Sequence, residues 1–209
     1  MTLLLMTFSS TFAQQKLIKP ANLQKGDTIA IVAPAGILKN KQEIIYKAKK
    51  LAESWGLKVV LGRHLFNQNN HFSGTDEERC QDFQEALDNK NIKAIWAARG
   101  GYGSVRILDL LDFTEFQKNP KWVIGYSDIT AFHNHIHNLG VETIHGMMVT
   151  SLGDDLKEIK ETVASFKKAL FGEAISYTIS ASKYNRVAFS KEIEGQIIGG
   201  NLSILTSML

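Results

Sequence analysis

Three short stretches combine glycine with residues able to do polar chemistry: "APAG" at 33–36, "ARGGYGS" at 98–104 and "GYSD" at 125–128. Ser127 is the most suggestive of these residues. It closes the apolar run "WVIGY" and opens the helical pattern "SDITAFHNHIHNLG". A serine at a strand-to-helix junction has two uses. It can cap the helix through its hydroxyl. It can also be a nucleophile held on a sharp turn, with the Asp128 N–H at the helix N-terminus facing the oxyanion that forms. Gly125 matches the first glycine of the G-x-S-x-G nucleophile elbow, but Ile129 stands where the second belongs, so the general motif is not met. The residues alone leave both uses open.

The glycine loop at 98–104 was tested against phosphate-binding patterns. It has no Lys-Ser/Thr pair, and a G-x-G-x-x-G register would place its last glycine at Arg106, so neither the P-loop nor the dinucleotide fingerprint fits. Glycines here can instead bring backbone N–H groups close to a developing negative charge. Arg99, just before them, can clamp a substrate's terminal carboxylate or serve as a structural ion-pair partner. A serine nucleophile also needs a base. His133, His135 and His137 follow six or more residues later and read as ordinary helix residues, whereas His145, in "IHGMM", is better placed to line the site.

The elements that must position these residues alternate regularly. Strands are read at "TIAIVAPA" from Thr28, "KVVLG" from Lys58, "IKAIWAA" from Ile92, "WVIGY" from Trp122 and "ETIHG" from Glu142. Each is a short, nearly continuous apolar run, as in parallel strands buried on both faces. Between them lie helices. One places Ile44, Ile45, Ala48, Leu51, Ala52 and Trp55 on one stripe and stops at Gly56. Another opens with the Thr75/Glu78 capping-box spacing, turns Phe83, Ala86 and Leu87 inward, and carries the lone Cys80 on its inner side. This βαβα order predicts an α/β fold with a doubly wound, mostly parallel sheet and with functional groups at the C-terminal strand ends.

The totals exclude several classes. Lys and Arg number 24 against 21 Asp and Glu, with no basic stripe, which argues against a nucleic-acid partner. A single cysteine and no clustered His/Cys spacing give neither an internal disulfide nor a metal site. Residues 1–15 resemble the end of a signal peptide without its positive start. They are too short for a membrane span, and export to the periplasm or cell envelope, against a cytoplasmic location, turns on that segment. The expected division is residues 16–150 as an α/β nucleophile domain, 151–190 as linker and 191–209 as the start of a truncated C-terminal domain, because the chain stops on an apolar segment.

Taken in order, "IAIVAPAG", "WAARGGYGS", "IGYSDIT", "HGMM" and "IIGGNLSIL" resemble the LD-carboxypeptidase family, the murein tetrapeptide carboxypeptidases and microcin C immunity peptidases. The resemblance runs from about Lys16 to Leu209. It implies a flavodoxin-like N-terminal domain and a serine peptidase that needs no cofactor. Ser127 would be the nucleophile, Gly101 (or Gly100) and Asp128 would supply the oxyanion N–H groups, and Arg99, Gly100, Tyr102 and His145 would bind substrate. The implied substrate is a muropeptide from which terminal D-alanine is released during peptidoglycan recycling. A homodimer is also implied. The family's catalytic Glu and His belong to a C-terminal domain past the GGNLS segment, so neither is matched within 209 residues. A related peptidase acting on a peptidyl-nucleotide antibiotic, or a catalytically incomplete muropeptide-binding module, are the alternatives.

Overall fold

The computed structural model describes residues 16–153, 157–178, 192 and 194–209. The signal-like segment 1–15 and residues 154–156 and 179–190 of the expected linker lie outside these. The five expected strands form at β1 (Thr28–Val32), β2 (Lys58–Leu61), β3 (Ile92–Ala97), β4 (Trp122–Gly125) and β5 (Ile144–His145). All pair in parallel, in the order β2-β1-β3-β4-β5. That is the flavodoxin-like doubly wound order, and its crevice opens where the direction of winding reverses, between β1 and β3.

Alternation along each strand feeds two cores, because successive side chains leave opposite faces. Ile29 and Ile31 pack with α1 (Gln42–Ser54) and with Trp96, while Ala30 and Val32 pack with α2 (Asp76–Asp88) and Ile95. The first core is closed by α6 (Lys160–Phe171), which buries Phe166 and Leu170. This helix lies in the span expected to be linker, yet it belongs to the packed body. The second core is covered by α3 (Ser104–Leu108), α4 (Thr114–Lys118) and α5 (Thr130–Asn138). A last short helix, α7 (Leu202–Ser207), is tied to α5 by the Asn201 N–H, which donates to Thr130 Oγ1 at 3.0 Å.

Local rules account for the boundaries. Thr75 and Glu78 form the reciprocal capping box expected at the start of α2. Ile45, Ala48 and Ala52 of α1 are buried, with Ile44 and Leu51 partly so. Cys80 is only half-buried, at the margin of the second core. Among the described residues no helix is long and apolar enough to cross a membrane.

Candidate active site

Three loops converge at the C-terminal ends of β1, β3 and β4. The Gly36 N–H donates to the Gly100 carbonyl at 3.0 Å, tying the turn after β1 to the glycine loop after β3. Only glycine allows this approach, since a Cβ on Gly36 would stand 2.7 Å from that oxygen. On its other side the glycine loop meets the turn after β4. A Cβ on Gly100 would lie 3.6 Å from the Asp128 Cβ. The fold thus brings Gly100, Gly101 and the Ser127–Asp128 turn together, as the sequence reading requires.

Ser127 is half-buried and sits in the left-handed region, at φ +58°. A non-glycine residue held there costs on the order of 1 kcal/mol or more, and such strain gathers at functional sites. The turn Ser127–Ile129 is a single 3-10 turn that leads into α5, and neither begins with a side-chain capping bond. The cap reading of Ser127 is therefore corrected: its backbone leaves the extended conformation that an N-cap serine uses. The N–H groups of Gly100, Gly101 and Asp128 meet no acceptor among the described residues.

Asp128 contributes a second contact. Its buried carboxylate accepts the Ser104 N–H at 2.8 Å, so it caps α3 and links the end of the glycine loop to the serine turn. Burial pushes its carboxyl up from the usual range, against the opposing pull of the Ser104 hydrogen bonds and of Arg79. Arg99 is half-buried and bonds the Ile37 carbonyl. It has no carboxylate partner among the described residues. Tyr102 is exposed at the loop crest, 6.1 Å from the Phe72 ring.

His145 is exposed and paired in register with Gly125, two residues before Ser127. A cleft of about 840 Å³ lies on this flank, lined by His133, His137, Glu142 and His145 together with residues 195–200. Ser127, Gly101 and Tyr102 do not line it, so its volume alone does not locate the chemistry. Among the described residues no group of three metal-ligating side chains forms.

Two buried side chains were not anticipated as part of this neighbourhood. Arg79 crosses from α2 to the glycine loop; Phe83 lies one turn further along the same inward stripe, which is the signal that could have found it. His133 is buried in α5, and its Nε2 donates to the Gly125 carbonyl at 2.9 Å. The Gly146 N–H reaches the same oxygen at 3.0 Å. Because a carbonyl only accepts, Nε2 carries the proton, leaving Nδ1 a buried acceptor without a partner. Burial lowers the His133 pKa to about 4.

That depression has a pH consequence. Between about pH 6.5 and 4 the unfolded chain gains a proton at this histidine that the folded chain refuses, so stability falls as the pH drops through that window. The full effect is about 3 kcal/mol. His133→Gln, which keeps a donor for Gly125, should show a flatter loss than wild type in urea unfolding at pH 7.5, 5.5 and 4.5. Parallel curves for the two proteins would show that His133 does not carry this dependence.

Comparison with known proteins gives the family. The sequence model of the LD-carboxypeptidase N-terminal domain matches residues 29–146, more than half of the chain. A probable murein peptide carboxypeptidase of Bacillus subtilis (strain 168) is 40% identical over 194 residues, covering 91% of this chain and 59% of that protein. The murein tetrapeptide carboxypeptidase of Pseudomonas aeruginosa is 31% identical over 188 residues, covering 86% of this chain and 59% of its own length. The chain thus spans 59% of the length of each of these curated relatives. Among solved structures, the microcin C7 self-immunity protein MccF in complex with aspartyl sulfamoyl adenosine superposes with a TM-score of 0.76 at 28% identity, over 90% of this chain and 64% of that one. With the match spanning β1 through β5 and both glycine-bearing loops, the chain belongs to the LD-carboxypeptidase family, S66 peptidases, and carries its N-terminal domain.

Proposed function

We propose that the protein carrying this domain is a serine carboxypeptidase that cleaves the bond between an L-configured centre and a terminal D-amino acid in muropeptides, releasing D-alanine. The observation that supports this reading is the strained Ser127 on a strand-to-helix turn, beside uncommitted N–H groups of Gly100, Gly101 and Asp128. Ser127 Oγ attacks the scissile carbonyl and forms an acyl-enzyme, while the tetrahedral oxygen is held by the Gly101 and Asp128 N–H groups. Arg99, free of carboxylate partners among the described residues, meets the terminal carboxylate of the substrate, with Gly100, Tyr102 and His145 along its path.

The proton from Ser127 requires a base. His133 is unsuited, since its Nε2 is committed to the Gly125 carbonyl and burial keeps its Nδ1 unprotonated down to about pH 4. The family's own pattern assigns the task to a Glu–His pair of the C-terminal domain, and in this reading that pair completes the site.

A second reading rests on MccF, which is solved in complex with aspartyl sulfamoyl adenosine. The two are separated by supplying the protein, at its full native length, with a muropeptide tetrapeptide and with aspartyl sulfamoyl adenosine. Release of D-alanine with a kcat/KM at least about 10-fold above that for the nucleoside, a difference of about 1.4 kcal/mol in transition-state binding, supports the muropeptide assignment. The reverse ratio would replace it with the peptidyl-nucleotide one.

A further inference from the structure

Arg79 is a buried arginine, 1% exposed, that the acyl-transfer scheme leaves unused. Its Nη1 donates both to the Pro34 carbonyl at 2.5 Å and to the Gly103 carbonyl at 2.9 Å. Pro34 belongs to the turn after β1 and Gly103 to the glycine loop after β3. Its Nη2 bonds Asp76 one turn earlier on α2, and Asp76 also accepts the Nε and Nη2 of Arg106, at 3.0 and 2.5 Å. The guanidinium carbon lies 4.9 Å from the centre of the Phe72 ring. Burial works against the Arg79 charge, and Asp76 is the carboxylate that offsets it.

Several bonds hold the glycine loop. The Thr150 N–H holds the Ala98 carbonyl, the Gly36 N–H holds the Gly100 carbonyl and the Asp128 carboxylate holds the Ser104 N–H, while Arg79 holds the Gly103 carbonyl together with the Arg106 N–H. The Gly100 and Gly101 N–H groups between these bonds meet no backbone acceptor among the described residues. Gly101 and Gly103 both sit at positive φ, at +112° and +147°, where a free loop has several conformations of similar energy. A planar fork that bonds two carbonyls and a carboxylate at once selects one of them, which a lysine ammonium on a flexible stem does not reproduce.

We infer that Arg79 is a positioning residue for acyl transfer: it fixes the glycine loop so that the Gly100 and Gly101 N–H groups point at the oxyanion formed when Ser127 attacks the scissile carbonyl. This rests on the serine carboxypeptidase reading above. Preorganised donors act on the transition state rather than on bound substrate, so the effect should fall on kcat.

The test uses the full-length protein with Arg79→Lys and Arg79→Met, in two measurements. Amide hydrogen exchange without substrate should rise in the peptides covering 33–37 and 99–105 and stay at wild-type levels in α5 and α6. Steady-state D-alanine release should show kcat lowered about 10²-fold in both variants, the size of losing one oxyanion donor, with KM within about 3-fold. Unchanged exchange in the glycine loop overturns the inference. So does exchange raised throughout the domain, which would make Arg79 a general stability residue, or locally raised exchange with kcat intact. If wild type releases no D-alanine at all, the carboxypeptidase reading falls and Arg79 loses its role in acyl transfer. The exchange data then still decide whether it orders the loop.

Discussion

Ser127→Ala is expected to lower kcat/KM for D-alanine release by at least about 10⁴-fold while leaving the unfolding midpoint within a degree or two of wild type. Loss of a serine nucleophile removes the whole covalent path, and what survives comes from the oxyanion donors and binding alone. Stability should hardly move because alanine keeps the Cβ, and with it the left-handed strain at φ +58°. The glycine variant separates the two effects. Ser127→Gly removes the hydroxyl and the strain together, so it should be as inactive as alanine yet more stable by about 1 kcal/mol, or about 2–4 °C in Tm for a domain of this size. Retention of D-alanine release by Ser127→Ala would end the proposed mechanism. A glycine variant no more stable than the alanine one would mean that the turn is not strained.

Gly103→Ala should have the largest effect on the fold. At φ +147° any side chain is strained, and a Cβ there would stand 2.9 Å from Arg79 Nη1, 3.1 Å from the Ala35 Cα and 3.2 Å from Phe72 Cδ1. The Phe72 ring can turn a little, but the Ala35 backbone and the buried guanidinium have nowhere to go. The expected loss is about 2–4 kcal/mol, with kcat falling as the loop moves off its anchors. Gly101→Ala is the control. Its φ of +112° is also strained, but the nearest atom to an added Cβ is the Gly36 Cα at 3.6 Å, ordinary contact. It should cost about 1–2 kcal/mol, from backbone strain alone. Equal losses in the two variants would show that the close approach at Gly103 contributes nothing.

Much of the scaffold was legible because its signals are local. Short apolar runs marked all five strands; β1, β3 and β4 are covered on both faces and so have almost no polar side, whereas the edge strands β2 and β5 are partly exposed. The Thr75/Glu78 spacing and the stripe through Ile45, Ala48 and Ala52 marked two helices, because capping and burial repeat within a turn or two of the same chain. The five-residue helices α3 and α4 gave no such signal, being too short to show a period. The helix α6 lies in the span expected as linker, and no local signal showed that its Phe166 closes the core over Trp96, 70 residues earlier in the chain, with ring centres 5.1 Å apart.

The candidate site divides along the same line. By itself the sequence singled out the candidates for chemistry, Ser127 with Asp128 and the Gly100–Gly101 pair, and the strand ends on which they sit. Tertiary structure decided the rest: that β1 lies beside β3 and β3 beside β4, so that three loops meet; that Ser127 is a strained turn residue and not a cap; and that Arg79, Asp128 and His133 are buried against backbone groups of those loops. The physical reason is that periodicity and capping report an element's own surroundings, whereas the contacts between these loops join groups as far apart in the chain as Gly36 and Gly100, and only the sheet order brings the two partners together.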